Sequence, residues 1–250
     1  MSLAGEVPPE ALEEQQFEVF PADLCQPLLL SEIFGNDRPL EIDLGSGSGK
    51  FLVEAGQRYP ERNFLGVERL LGRVRKTRRK ACQLSLTNVR VLRVEIDYAV
   101  KYLLPPEAIS RFHLSFPDPW PKRRHHSRRL VDEEFFEAVA AALGSTGELW
   151  IKTDHAEYFR WIEKIAANLS STFHEVPWEE EYPNTDFDET FAAENAPIYR
   201  LRLRKVNRSP RQPLNSRSLS DRAMVTAPLS PKNQMGTAGS PGDWFPAGFP

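Results

Sequence analysis

The chain has 250 residues, 40% of them hydrophobic and 27% charged, with a formal net charge of −3. That length and apolar content suit one α/β-sized domain, alone or with a tail, and the mild acidity excludes a uniformly basic nucleic-acid binder. No apolar run approaches the ~18 residues that cross a bilayer, the first residues show no leader pattern, and Cys25 and Cys82 lack metal-binding spacing, so a cytoplasmic protein with no metal site is expected.

Residues 1–20 are polar and acidic and are expected to be flexible, with the folded domain at 21–206. Pro39 to Leu44 reads as a short apolar strand running into Gly45-Ser46-Gly47-Ser48-Gly49. A helix from about Lys50 to Arg58 follows, ended by Tyr59-Pro60, and then a strand, Asn63 to Val67, with Glu68 at its end. The stretch 69–86 predicts a helix with Leu70, Leu71, Val74, Ala81 and Leu84 as its apolar stripe; residues 69–80 carry seven basic side chains and no acid. Asn88 to Val94 is a third strand, followed by Asp97 and a short helix to Leu104. Arg111 to Phe116 is a fourth strand, leading into Pro117-Asp118-Pro119-Trp120-Pro121. Asp132 to Leu143 predicts an amphipathic helix with Asp132 as its N-cap. Gly147 to Thr153 is a fifth strand, with a helix from His155 to Leu169 after it. Thr172 to Val176 and Ile198 to Arg204 are two last strands joined by a long loop. From Asn207 onward, 17 of 44 residues are Pro, Ser or Gly and no apolar period remains, which predicts a disordered tail over 207–250.

Strands alternating with helices imply a parallel sheet covered on both faces, and two strands with no helix predicted between them pair as an antiparallel hairpin. Five βα units followed by a hairpin is the order of the class I S-adenosylmethionine-dependent methyltransferase fold, Rossmann-like, with a mostly parallel seven-stranded sheet.

Ligands of such sheets bind at the C-terminal strand ends. There, Gly45 and Gly47 let the backbone turn close to a ligand, while Lys50 stands where a dinucleotide fingerprint needs glycine, which weakens a dehydrogenase reading. Glu68 is placed for ribose hydroxyls and Asp97 for an adenine amine; Glu41, an acid inside a buried strand, needs a partner or a ligand. Three prolines hold Asp118 and Trp120 in a stiff backbone ahead of Lys122, Arg123, Arg124, Arg128 and Arg129, a set suited to a flat polar base joined to phosphates. Trp120 is read as a base-stacking ring or a packing anchor, and His125 as a phosphate contact or a structural hydrogen bond. The basic stretch 69–80 is a second candidate RNA footprint.

The runs Glu41-Ile42-Asp43-Leu44-Gly45-Ser46-Gly47-Ser48-Gly49, Gly66-Val67-Glu68, Asp118-Pro119-Trp120-Pro121-Lys122-Arg123-Arg124-His125, Arg128-Arg129-Leu130, Lys152-Thr153-Asp154, Thr185-Asp186-Phe187-Asp188 and Pro197-Ile198-Tyr199-Arg200 resemble the tRNA (guanine-N7-)-methyltransferase family of the bacterial single-chain type. The resemblance covers about residues 41–204 and implies methyl transfer from S-adenosylmethionine to guanosine 46 of the tRNA variable loop, with tRNA as partner and no obligate protein partner. It implies that Glu41, Glu68, Asp97 and Asp118 line the cofactor site and that Asp118 is catalytic. It further implies that Lys122, Asp154, Thr185, Asp186, Phe187 and Asp188 contact substrate. Asp188 departs from the family's usual Glu, with Glu189 as a possible replacement. The rival readings are an amine methyltransferase on another nucleobase or protein, and a non-catalytic RNA-binding scaffold.

Overall fold

The computed structural model describes residues 14–178 and 182–207; most of the predicted flexible N-terminal segment and nearly all of the predicted tail lie outside them. Eight strands form one sheet: β1 (Glu18–Val19), β2 (Leu40–Leu44), β3 (Asn63–Val67), β4 (Val89–Leu92), β5 (Ile109–Ser115), β6 (Leu143–Thr153), β7 (Phe173–Glu175) and β8 (Tyr199–Lys205). Their order is β1-β4-β3-β2-β5-β6-β8-β7, with β1 to β6 parallel and β8 antiparallel to both β6 and β7. The expected class I order is therefore present, with one strand more than the seven predicted. The extra strand is β1, two residues that pair Glu18 with Val91 and Val19 with Leu92. It falls inside the segment expected to be flexible, so order begins before residue 21.

The helices are α1 (Leu30–Phe34), α2 (Lys50–Arg58), α3 (Leu71–Gln83), α4 (Ile96–Tyr98), α5 (Glu133–Ala142), α6 (Ala156–Asn168) and α7 (Asp186–Ala193), with a π turn continuing α4 over Ala99–Leu103 and a 3-10 turn over Arg123–Arg128. Asp132 caps α5 as the sequence predicts, accepting from the Phe135 amide at 2.8 Å. The stripe of α3 is narrower than predicted: Val74, Thr77 and Ala81 are buried, while Leu70 and Leu84 remain exposed.

Every residue of β2 and β3 is buried, as a parallel strand covered on both faces requires. Leu40, Ile42 and Leu44 enter the larger core with Phe112, Phe135, Phe136 and Tyr158; Phe51, Leu52, Phe64 and Val89 form a smaller core around α2. At about 1.5–3 kcal/mol for each large side chain buried, these clusters fix the sheet that carries the loops. The segment between β7 and β8 was expected as a loop but contains α7. Its cap explains it: the Thr185 side chain accepts from the Asp188 amide at 3.1 Å, and the Asp188 carboxylate accepts from the Thr185 amide at 2.8 Å.

Candidate active site

The order of the sheet reverses between β2 and β5, and the turn after β2 lies at that switch. Gly45, Gly47 and Gly49 all have positive φ. Gly49 is the tightest position: at φ 76° it precedes α2, and a Cβ there would come within 2.3 Å of the Thr77 side chain. The turn is braced from β3. The buried Glu68 carboxylate accepts from the Gly47 amide at 3.1 Å and the Leu70 amide at 2.8 Å, with Arg73 at 3.6 Å.

The two acids of β2 have different fates. Glu41, 2% exposed, is enclosed by protein partners: His113 Nε2 at 2.7 Å, Arg62 Nη1 at 2.8 Å and the Tyr182 hydroxyl at 2.9 Å. Burial works to raise its pKa, but its contact with His113, the Arg111 charge and the Arg62 hydrogen bond win and hold it at about 2. Burial pushes the His113 pKa below its ordinary value against the pull of Glu41, and Nε2 is the ring atom that faces the carboxylate. Asp43, two residues on and 4% exposed, receives no hydrogen bond among the described residues. Burial first, with Glu68 adding to it and Lys152 opposing, pushes its carboxyl up to about 7. Asp43 lies in register with Gly66, and a Cβ on Gly66 would come within 2.8 Å of Ser46 Oγ, itself buried without a partner among the described residues.

The loop after β5 is strained and clamped. Phe116 and Trp120 have φ of 54° and 42°, left-handed values that aromatic side chains rarely adopt, on either side of Pro117-Asp118-Pro119. The Phe116 amide donates to the Lys152 carbonyl at 2.7 Å. Arg129, 5% exposed, donates through Nε to the Pro119 carbonyl at 2.9 Å and through Nη2 to Glu157 at 3.0 Å, with its guanidinium 5.0 Å from the Tyr158 ring centre. Arg129 thus holds the loop and is not the phosphate contact the sequence suggested. Asp118 is exposed, with no protein donor on it among the described residues. The Trp120 ring meets His125 edge-on at 5.8 Å and Arg128 at 5.2 Å, which favours the packing reading. Lys122, Arg123, Arg124 and Arg128 are exposed around it.

The third part is α7, which sits against both loops. Asp186 accepts from Ser48 Oγ at 2.5 Å, Glu189 pairs with Lys50 at 3.0 Å, and buried Asp188 pairs with Lys152 at 2.5 Å. Phe187, 52% exposed, lies with Phe191 against Phe116.

A family model described as "Putative methyltransferase" matches residues 37–201, well over half of the chain. A tRNA (guanine-N(7)-)-methyltransferase of Exiguobacterium sp. is 34% identical over 174 residues, covering 67% of this chain and 80% of that protein. The chain belongs to the tRNA (guanine-N(7)-)-methyltransferase family. Like-named proteins of Syntrophotalea carbinolica and Thermotoga maritima are 38% and 34% identical over 54% and 60% of this chain; the match spans only 58% and 46% of their own lengths. The fold is shared with the 16S rRNA methyltransferase KamB at TM-score 0.52 and 13% identity, over 72% of this chain and 93% of that one.

Of the residues the family resemblance singled out, Gly45, Gly47, Glu68, Asp118, Lys122, Asp154 and the Thr185–Asp188 stretch all lie at the C-terminal edge of the sheet or on the helix docked there. Glu41 is enclosed as described. Asp97 is exposed and pairs with Lys101 at 3.0 Å, and Lys101 also meets Glu134 of α5. Glu95, two residues earlier and also exposed, pairs at 3.7 Å with Arg69, the neighbour of Glu68, and Ile96 lies against Gly45. Asp188 is spent on its cap and on Lys152, and Glu189 on Lys50, so neither carboxylate is free. Sequence reasoning did not single out Asp43 or Glu95, although both, like Glu68, are acids within three residues of a predicted strand end.

Proposed function

We propose that this chain transfers the methyl group of S-adenosylmethionine to N7 of a guanine in tRNA, with guanosine 46 of the variable loop as the expected position. The observation that carries the reading is one edge of the sheet where a left-handed glycine turn, an unpartnered buried carboxylate and a strained loop bearing an exposed Asp118 meet. The fit to the cofactor rests on Asp43. A buried carboxyl without donors favours a cationic ligand that brings N–H groups, as the methionyl ammonium does. Glu68 then takes the ribose hydroxyls, and Asp97 or Glu95, the exposed acids after β4, takes the adenine edge.

When bound, the cofactor supplies the methyl group: the guanine N7 lone pair forms the new N–C bond and the S–C electron pair returns to sulfur. N7 carries no proton, so no general base is required, and positive charge moves onto the guanine ring. The chain's tasks are alignment and charge placement. Asp118, fixed by Pro117, Pro119 and the Arg129 clamp, accepts N–H bonds from the guanine edge and sets negative charge beside the developing cation. Asp154 follows directly on β6, the strand paired with β5. Lys122, Arg123, Arg124 and Arg128 hold phosphates.

Incubation with unmodified tRNA and labelled S-adenosylmethionine, followed by nucleoside analysis, tests the reading. Labelled 7-methylguanosine supports it. A methylated exocyclic amine would favour the amine methyltransferase, and binding without any product the non-catalytic scaffold.

A further inference from the structure

The enclosure of Glu41 has a specific neighbour. Tyr182 packs on the smaller core, its ring 6.1 Å from Phe51, 5.0 Å from Tyr59, 4.9 Å from His113 and 5.2 Å from Trp150. Its hydroxyl donates to Glu41 Oε1 and is met by the guanidinium groups of Arg62 and Arg111. Those arginines lie before β3 and within β5, so the pin is anchored to three adjacent strands. Only Pro183 and Asn184 separate Tyr182 from Thr185, the cap of α7.

We propose that Tyr182 and Glu41 are positioning residues for α7: Glu41 acts through Tyr182 to hold the helix over the glycine turn, and does not contact the cofactor. A chain of two intervening residues spans at most about 10 Å, so fixing Tyr182 limits where the α7 cap can sit. Of the other tethers, the packing of Phe187 and Phe191 on Phe116 is non-directional, and the polar ones are individually weak or single. Ser48–Asp186 and Lys50–Glu189 are solvent-exposed, and exposed pairs of this kind contribute little. Lys152–Asp188 is buried, but it fixes only one point. The hydrogen bond from Tyr182 to an ionised, buried carboxylate belongs to the stronger class. It supplies a second fixed point, which sets the direction of the helix.

The part that concerns substrate rests on the function proposed above; the part that concerns position does not. Tyr182→Phe removes the hydroxyl and keeps the ring packing, and Glu41→Gln keeps the shape and removes the charge. Hydrogen exchange of amides 188–193 needs neither cofactor nor tRNA. Both variants are expected to exchange there about tenfold faster than wild type, with β2, β3 and β5 unchanged. In turnover, KM for tRNA is expected to rise about tenfold, while the Kd for S-adenosylhomocysteine stays within about twofold. Unchanged exchange in α7 overturns the proposal. So does a uniform rise across the sheet, which is a merely structural effect. Weaker S-adenosylhomocysteine binding in Glu41→Gln with α7 still protected would restore Glu41 as a cofactor contact. Wild-type protein that makes no 7-methylguanosine would remove the function reading and leave the exchange result standing on its own.

Discussion

Replacing Asp43 by Asn should reverse part of the pH dependence of folding. Burial, with Glu68 adding to it and Lys152 opposing, lifts the Asp43 carboxyl from 3.8 to about 7 in the folded chain. A carboxyl with a higher pKa folded than unfolded binds its proton more tightly in the native state, so stability falls as pH rises between the two values. The shift is roughly three units at about 1.36 kcal/mol each, or about 4 kcal/mol over the whole range. Between pH 5 and pH 8 about 3 kcal/mol of that is lost. Glu41 and Glu148, both held at about 2, finish their opposite contributions below this window. His113, lowered by burial, gains stability up to its ordinary value of 6.5, but it does so in both proteins and cancels in the difference. Urea unfolding of wild type and Asp43→Asn at pH 5 and pH 8 reads the effect. The variant should gain about 3 kcal/mol relative to wild type on going to pH 8. A difference that stays constant within about 0.5 kcal/mol would mean that Asp43 is ionised and satisfied, and would refute the unpartnered-carboxylate argument.

Asp118→Asn should lower methyl transfer by at least about 10²-fold with little change in melting temperature, since Asp118 is exposed and has no ion pair among the described residues; a near-normal rate would remove the charge-placement role. Glu68→Ala should weaken S-adenosylhomocysteine binding by calorimetry and also cost stability, because Glu68 braces the glycine turn; unchanged affinity would take it out of the site. On α3, Arg78 is engaged by Glu18 at 2.5 Å, Lys80 by the Ser48 carbonyl at 3.1 Å and Arg73 by Glu68 at 3.6 Å, which leaves Arg75, Lys76 and Arg79 as the exposed set without a partner among the described residues. Changing those three to Ala should flatten the log–log salt dependence of tRNA binding by about 0.7–0.9 per lost phosphate contact; an unchanged slope would turn this face away from RNA.

The parts of the fold that repeat were legible in the sequence. β2 runs into a Gly turn, β5 into a Pro turn and β3 follows Pro60 and ends at Glu68, and α5 and α6 carry clear stripes, so order and connection followed. β1 was not legible because two residues carry no period. The α7 cap was visible as Thr185 with Asp188 three residues later, but the family resemblance had already assigned those side chains to substrate. Within the site, the residue types were readable and their partners were not. Arg129 looks like its neighbour Arg128 until Glu157 and the Pro119 carbonyl, brought in by α6 and the strained loop, are seen around it. Glu41 and Asp43 share one face of β2, and only tertiary contacts from Arg62, His113 and Tyr182 decide which of them is left without a donor.

The most direct test of N7 methylation is chemical. Borohydride reduction followed by aniline cuts RNA at 7-methylguanosine and not at guanines methylated on an exocyclic amine. An end-labelled, unmodified tRNA treated with the protein and S-adenosylmethionine should show one new cut, at nucleotide 46. That cut should be absent without the cofactor and absent with Asp118→Ala. Methyl incorporation with no cut, or no incorporation by folded protein, would contradict the account.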